Sequence, residues 1–171
     1  MKNLILIFAA ALAISCGDNK KEEKSDVKIG TKIEEKAPVK EEVVDDAVAN
    51  ITITGNDQMK FNKDEIKVKA GQKVRLTLKH VGKMGVNVMG HNWALLVQGA
   101  DMAAVGQAAA LAVETDYIPT DMADQFIVHT KMLGGGESDT IEFDAPAPGT
   151  YTFMCTFPGH YALMQGKLIV E

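Results

Sequence analysis

The chain has 171 residues, of which 46% are hydrophobic and 24% are charged, and its formal net charge is −5. This composition excludes a wholly disordered chain and a polytopic membrane protein, and the negative charge argues against a general nucleic-acid binder. The only cysteines are Cys16 and Cys155, which excludes a disulfide-dense scaffold and a four-cysteine zinc or iron–sulfur site. The length allows one domain with additional segments, or two very small domains.

The first 15 residues are predicted to be a targeting segment. Lys2 precedes an apolar run over residues 4–14, which is too short to cross a hydrocarbon core of about 30 Å as a helix. The run ends in Ala-Ile-Ser-Cys-Gly and resembles a bacterial lipoprotein signal, although Ala13 stands where Leu is usual. We therefore predict a lipoprotein signal peptide over residues 1–15 and lipid on the sulfur of Cys16. The protein would then be anchored to a bacterial membrane in the cell envelope, in the periplasm or at the cell surface. An ordinary secretory signal is the alternative, and a membrane-spanning helix is less favoured.

Residues 16–49 have the composition of a tether. Residues 17–49 contain 7 Lys, 10 Asp or Glu and no aromatic residue. Such a segment cannot bury enough apolar surface to offset the entropy lost on ordering. It is predicted to be a charged, flexible linker that joins the lipid to a domain over residues 50–171.

Short alternating segments fill residues 50–171. In the clearest of them, Val74, Leu76 and Leu78 alternate with charged residues or Thr, and Gly and Pro separate one such segment from the next. This period of two predicts an all-β domain, either an antiparallel sandwich or a barrel.

Residues 101–112 interrupt the alternation. They are rich in Ala, and Asp101 can cap a helix, so a short helix on a flap between strands is predicted. We expect Met102, Val105 and Leu111 to be packing residues of this flap.

The most informative segment places Cys155, His160 and Met164 at relative positions 0, +5 and +9. Pro and Gly between them force a turn, and His91 supplies a second imidazole from far upstream. Each residue alone is more often structural, as a buried thiol, a hydrogen-bonded histidine or a core methionine. Together, two His, one Cys and a weak axial Met are the donor set of a blue-copper electron-transfer site.

Four separated motifs carry a resemblance to the azurins, blue-copper proteins of the cupredoxin family. They read Gly-Asn-Asp-Gln-Met at 55–59, Asn-Val-Met-Gly-His-Asn-Trp at 87–93, His-Thr-Lys at 129–131, and Cys-Thr-Phe-Pro-Gly-His at 155–160 followed by Met164. The resemblance covers residues 50–171 and implies an eight-stranded Greek-key β-sandwich with a short helical flap. It implies one copper ion, cycling between Cu(II) and Cu(I), with His91, Cys155 and His160 in the plane. Met164 and the backbone carbonyl of Gly90 would be the weak axial ligands.

The resemblance also assigns roles around the ligands. It implies that Asn92 braces the ligand loops, that the Phe157 amide donates to the cysteine sulfur, and that His80 and His129 lie outside the copper sphere with structural or mildly pH-sensitive roles. Electrons would pass through His160, whose outer edge is expected to reach the surface, within an apolar docking patch. The residues expected in that patch are Met59, Met84, Val88, Met89, Phe157, Pro158, Ala162 and Leu163.

The predicted function is therefore that of a type 1 copper protein that shuttles single electrons between redox partners outside the cytoplasm. The partners would be redox proteins such as c-type cytochromes or reductases, and the protein is expected to be a monomer and not an enzyme. A copper carrier or scavenger of the cell envelope is the main alternative. A copper enzyme would need a second metal centre, for which only His80 and His129 remain, and an adhesion module would need no such ligands. Azurins generally carry a disulfide that this domain, with its single cysteine, lacks.

Overall fold

The computed structural model describes residues 47–171. The predicted signal peptide, Cys16 and most of the predicted linker lie outside these residues. The described part contains nine strands: β1 (Val48–Asn56), β2 (Lys60–Phe61), β3 (Glu65–Val68), β4 (Lys73–His80), β5 (Ala94–Leu96), β6 (Phe126–His129), β7 (Ser138–Asp144), β8 (Gly149–Met154) and β9 (Gln165–Val170). Strand β1 begins two residues before position 50, where the domain was expected to start.

Helices occupy little of the domain. They are α1 (Val86–Met89), α2 (Met102–Leu111) and three 3-10 helices over Val113–Thr115, Thr120–Gln125 and His160–Ala162. No helix within residues 47–171 is both long enough and apolar enough to cross a membrane.

The strands form two sheets, one ordered β2-β1-β4-β7 and the other β3-β9-β8-β5-β6. Both sheets are mixed, because β1 runs parallel to β4 and β3 runs parallel to β9, while the other pairs are antiparallel. The sheets pack face to face, and this confirms the predicted all-β sandwich. The expectation that its strands are antiparallel is wrong for these two parallel pairs. One of the nine strands, β2, is only two residues long.

The core lies between the inner faces of the two sheets. Val74, Leu76 and Leu78 on β4 have no exposed surface, as the alternation of β4 predicts, and they pack with Phe153 of β8 and Leu168 of β9. Burying each such side chain contributes about 1.5–3 kcal/mol, so this alternating pattern is the main local determinant of the fold. The opposite face of β4 carries exposed pairs with β7, among them Arg75 with Glu142 at 2.6 Å, which contribute little to stability.

The flap joins β5 to β6 and contains α2. Asp101 caps α2 as predicted, since its carboxylate accepts hydrogen bonds from Ala103 N at 3.0 Å and Ala104 N at 3.1 Å. Val105 is fully buried, whereas Leu111 is 87% exposed, so the expectation that Leu111 is a packing residue is wrong. Leu111 is the last residue of α2, and the buried residues of that helix are Val105, Gly106 and Ala109.

Candidate metal centre

The segment that follows β8 folds back on itself and collects several donor atoms. Cys155 comes directly after the end of β8, and its backbone N–H donates to Met164 O at 2.9 Å. Between them, His160 N donates to Phe157 O at 3.0 Å and Met164 N donates to His160 O at 2.8 Å. Gly159 has a φ of 79°, in the left-handed region that glycine adopts without steric cost. The turn therefore brings Cys155, His160 and Met164 to one end of the sandwich.

His91 reaches the same place from the other ligand segment, between α1 and β5. Its backbone is fixed by a two-way bridge to Leu133, with N–O distances of 3.0 and 2.8 Å. Its ring Nε2 lies 2.8 Å from Asn56 O and donates to it. This hydrogen bond holds the tautomer whose Nδ1 lone pair is free to bind a metal ion.

The three side chains predicted to lie in the copper plane form one buried cluster. One ligand atom from each of His91, Cys155 and His160 lies within 4.8 Å of the others, and all three residues are buried. Cys155 Sγ is 3.7 Å from His160 Nδ1 and 3.8 Å from the carbonyl oxygen of Gly90. Met164 is also fully buried and packs in a cluster with Cys155. The structure therefore brings together side chains from segments more than 60 positions apart in the chain.

These residues fit a copper ion. His91 Nδ1 is buried and has no hydrogen-bond partner among residues 47–171. A buried polar atom without a partner costs about 1–3 kcal/mol, which a metal bond would remove. A thiolate beside two imidazoles suits copper better than magnesium or calcium, which prefer oxygen ligands.

Burial also sets the protonation of the metal-free site. It raises the pKa of the Cys155 thiol to about 12, against which the backbone N–H groups of Asn92 and Phe157 stabilise the thiolate. Burial, and to a smaller extent the neighbouring His91 and His80, lower the pKa of His160 to about 4. Burial likewise lowers the pKa of His91. At neutral pH both imidazoles are therefore neutral and ready to bind, whereas the thiol must lose its proton when a metal binds.

Asn92 and Phe157 both lie beside the metal cluster. The Asn92 side chain spans the two ligand segments, because its Nδ2 donates to Thr156 Oγ1 at 2.7 Å and its Oδ1 accepts from Thr156 N at 2.8 Å. The backbone N–H of Phe157 opposes the rise in the pKa of the Cys155 thiol. The Phe157 ring contacts His160, with ring centroids 4.7 Å apart.

The other two histidines, His80 and His129, are not members of the metal cluster. His80 uses both ring nitrogens, since Nε2 lies 2.7 Å from Met89 O and Nδ1 accepts from Gly82 N at 3.0 Å. Its ring stacks on that of His91 with centroids 4.2 Å apart. His129 lies on β6, is exposed, and makes a 3.2 Å contact from Nδ1 to Thr130 O. The structure brings neither of them into the metal cluster found among residues 47–171.

The residues expected in the docking patch differ in exposure. Val88 is 66% exposed, Leu163 62% and Met84 44%, and Ala162 is exposed as well. The half-buried members are Met59, Met89 and Pro158. Phe157 is only 9% exposed and His160 only 3%, so little of the His160 ring reaches the surface.

Sequence reasoning missed several residues that shape the site. A Cβ atom on Gly55 would lie 2.8 Å from His91 Cδ2, so only glycine leaves room for that ring. Thr156 was not recognised as the partner of Asn92, and Tyr117 was not recognised as a neighbour of Phe157, at a centroid distance of 5.2 Å. Gly55 and Thr156 lie inside quoted motifs, but Tyr117 carries no signal in the sequence alone.

Comparisons with known proteins agree with this geometry. Residues 47–171 match the family described as copper binding proteins, plastocyanin/azurin family. Azurin-1 of Alcaligenes xylosoxydans xylosoxydans is 44% identical over 126 residues, which cover 71% of this chain and 97% of that protein. Outer membrane protein H.8 of Neisseria gonorrhoeae is 42% identical over 120 residues, which cover 68% of this chain and 64% of that protein. The crystal structure of dithionite-reduced auracyanin from Roseiflexus castenholzii has a TM-score of 0.64 and 39% identity, and the match covers 72% of this chain and 97% of that one.

Two imidazoles and one thiolate buried together at the end of a β-sandwich define a blue-copper protein of the cupredoxin class. Because the family match spans the described residues and the relatives share more than 30% identity, the chain belongs to the plastocyanin/azurin family of copper-binding proteins. It is a blue-copper electron-transfer protein, and copper is its cofactor.

Proposed function

We propose that His91, Cys155 and His160 would hold the copper ion, with weaker contacts from Met164 and from the Gly90 carbonyl. The observation that carries this proposal is the buried Nδ1 of His91, which lacks a partner within the described residues and lies beside the thiol and the imidazole. Bound copper supplies the one-electron couple between Cu(II) and Cu(I). The side chains hold nearly one arrangement for both states, because both ligand segments are fixed by backbone hydrogen bonds and by the Asn92 side chain.

The ligand charges favour electron transfer over catalysis. One thiolate and two neutral imidazoles leave the reduced site neutral and the oxidised site at +1, so neither state is a heavily charged buried ion. Cys155 and Met164 are fully buried, so a substrate in solution does not reach their sulfur atoms. We therefore propose that the protein is an electron carrier and not an enzyme.

We propose that redox partners dock on the apolar patch defined above and exchange electrons through His160. Support comes from the exposure of Val88, Leu163 and Met84, to which Val81 at 59% and Val86 at 37% add further apolar surface. Exposed apolar patches of this kind mark interaction sites, and small redox contacts are weak and transient. The partners are proposed to be redox proteins such as c-type cytochromes or reductases, and the carrier itself is proposed to be a monomer.

The copper site is tested by the visible absorption spectrum of the copper-loaded protein during a reversible one-electron titration. We expect an intense thiolate-to-copper band that disappears on reduction and returns on oxidation. A colourless Cu(II) complex, or release of copper on reduction, would instead support a copper carrier.

The docking patch is tested by placing a charge on it. Val88→Lys should slow electron exchange with a partner protein and leave the copper spectrum unchanged. Leu111→Lys is the matched control, since Leu111 is equally apolar and 87% exposed but lies outside the patch. Equal kinetics for the two variants would contradict docking at the patch.

We further propose that residues 1–15 are a lipoprotein signal peptide. Residues 16–49 would tether the domain over residues 50–171 to a membrane through lipid on Cys16. Support comes from the sequence pattern and from the relative whose name describes it as an outer membrane protein. The proposed location is the cell envelope. Mass spectrometry of the mature N-terminus tests this, with Cys16→Ser expected to move the protein from the membrane fraction to the soluble fraction. An unmodified Cys16 in membrane-associated protein would contradict the lipid anchor.

A further inference from the structure

An unusual backbone conformation lies in the flap, close to the copper ligands. Among residues 47–171, the non-glycine residues with positive φ are Met59 at 54°, Asp116 at 52° and Tyr117 at 61°. Met59 and Tyr117 both pack against the buried cluster of Cys155, Phe157 and Met164, and Asp116 directly precedes Tyr117. Residues in this region are uncommon and persist only where the surrounding structure holds them, which is characteristic of functional sites.

Hydrogen bonds from several directions hold the turn that contains Tyr117. Its backbone N–H donates to Ala112 O at 2.8 Å, and Ile118 N donates to Thr115 O at 3.0 Å. The hydroxyl of Thr115 lies 2.6 Å from Ile118 O and 3.2 Å from Ala112 O, so it can donate to either carbonyl. These bonds fix the left-handed pair and with it the direction of the Tyr117 side chain.

The Tyr117 ring meets the outer side of Phe157. The two rings make an edge contact with centroids 5.2 Å apart and planes at 64°. On its other sides Phe157 contacts His160, and a Cβ added to Gly90 would lie 2.7 Å from Phe157 Cδ2. Phe157 is thus held between Tyr117 and two of the proposed ligand residues, while its backbone N–H opposes the rise in the pKa of the Cys155 thiol.

We propose that Tyr117 is a positioning residue that holds Phe157 in place, keeps its N–H directed at the Cys155 sulfur and excludes water from the copper site. This proposal rests on the ligand set proposed above. An N–H donor stabilises negative charge on sulfur, which is larger in the reduced state, and water favours the charged oxidised state over the neutral reduced state. Loss of the Tyr117 ring therefore changes both effects in the same direction and lowers the reduction potential.

The first test is a redox titration of copper-loaded, full-length variants. Tyr117→Ala should shift the one-electron equilibrium toward the oxidised form by about tenfold, which corresponds to about 59 mV. Tyr117→Phe keeps the ring and should stay within about twofold of the unmodified protein. Phe126→Ala is the matched control, because it removes a half-buried ring that packs on the cluster of Leu96, Val105 and Met154 and not on Phe157. A Tyr117→Ala potential equal to that of Phe126→Ala would overturn the proposal.

The second test needs no copper. In the metal-free protein, Cys155 has no exposed surface, so its thiol should react slowly with an aromatic disulfide reagent. The reaction is followed by mass spectrometry of the peptide that carries Cys155, which separates it from Cys16. We expect Tyr117→Ala to react at least about tenfold faster than the unmodified protein, and Tyr117→Leu, which retains more volume, to lie between them.

The two tests separate the two proposals. If the unmodified protein gives no blue copper complex, the ligand set is wrong, and the thiol reaction still measures whether Tyr117 covers the site. If the blue complex forms but Tyr117→Ala changes neither the potential nor the thiol reaction, the ligand set stands and the role of Tyr117 is refuted.

Discussion

Asn92 and Thr156 exchange two hydrogen bonds in the buried part of the metal centre. Asn92 Nδ2 donates to Thr156 Oγ1 at 2.7 Å, and Thr156 N donates to Asn92 Oδ1 at 2.8 Å. Asn92 follows His91 and Thr156 follows Cys155, so this pair joins the two ligand segments by one bond between side chains and one bond from backbone to side chain. The segments are otherwise 64 residues apart in the sequence. The pair thus holds the ligands near each other even before a metal binds.

Removing Asn92 should cost more stability than its size suggests. Asn92→Leu leaves the N–H and hydroxyl of Thr156 buried without partners, so we expect the free energy of unfolding to fall by about 2–4 kcal/mol. Thr156→Val removes only the hydroxyl and should cost about 1–2 kcal/mol. Urea unfolding of the metal-free protein measures both.

The control for this comparison is an exposed threonine pair. Thr77 Oγ1 and Thr140 Oγ1 lie 2.8 Å apart on the outer face of β4 and β7. Thr140→Val should change the stability by no more than about 0.5 kcal/mol, because water can replace the lost bond. If Asn92→Leu is no more destabilising than Thr140→Val, the bracing role is wrong.

The metal-free protein should lose stability both when the pH falls and when the pH rises. The pKa of His160 is lowered from 6.5 to about 4, so the unfolded chain binds a proton more readily than the folded one. This part of the stability is fully present above pH 6.5 and is lost as the pH falls toward 4, and His91, whose pKa is also lowered, acts in the same direction. The pKa of Cys155 is raised from 9.0 to about 12, so its part is present below pH 9 and is lost as the pH rises toward 12.

Thermal unfolding across this pH range checks the prediction. Cys155→Ala should lose the Cys155 part of the alkaline decline and keep the acidic one. His160→Gln should weaken the acidic decline and keep the alkaline one. An alkaline decline that is equally steep in Cys155→Ala would show that other groups cause it.

The parts of the fold that the sequence predicted are those in which one residue pattern determines one structure. The alternation in β4 is local, and the prediction from it agrees with the structure. The spacing of Cys155, His160 and Met164 is also local, and the structure brings Cys155 and His160 into one buried cluster. By contrast, Ala94–Leu96 is buried on both faces and has no alternation, so β5 could not be recognised. The parallel pairing of β1 with β4 is likewise absent from any local pattern.

Several contacts around the metal centre likewise could not be predicted from a local sequence pattern. The hydrogen bond from His91 to Asn56 O joins residues 35 positions apart, and no local sequence feature of either segment predicts it. The left-handed conformation of Asp116 and Tyr117 arises from hydrogen bonds to Ala112 and Thr115 rather than from glycine, which would have been visible in the sequence. Leu111 was misjudged because apolar character alone does not say where a helix ends relative to the surface that it covers.

Trp93 is the only tryptophan of the chain and should fluoresce at unusually short wavelength. The side chain has no exposed surface and packs between Phe143 and Phe153, with centroid distances of 6.0 and 5.5 Å. Its Nε1 has no hydrogen-bond partner within residues 47–171, so few polar groups are available to relax around the excited state. The emission spectrum of the metal-free protein tests this, and unfolding in denaturant should move the maximum to longer wavelength. An emission maximum that unfolding leaves unchanged would contradict the apolar environment of the ring.

Gly106 in α2 offers a case in which helix propensity and packing oppose each other. Replacing glycine by alanine inside a helix normally stabilises it by about 0.5–1 kcal/mol. Here the added Cβ would lie 2.5 Å from Tyr161 Cδ1 and 2.7 Å from Tyr161 Cγ, so the Tyr161 ring would have to turn away from its present position. Because such overpacking costs about 1–3 kcal/mol, Gly106→Ala should be destabilising in urea unfolding.

The effect of Gly106→Ala should reach the metal centre, since Tyr161 follows His160 in the 3-10 helix His160–Ala162. We expect a shifted visible spectrum in the copper-loaded variant. The double variant Gly106→Ala, Tyr161→Ala removes the close contact. It should therefore be less destabilised than the sum of the two single variants, by about 0.5–3 kcal/mol. Gln107→Ala, an exposed change on the same helix, should leave both stability and spectrum nearly unchanged. If Gly106→Ala proves more stable than the unmodified protein, helix propensity outweighs the contact and α2 does not press on the His160 turn.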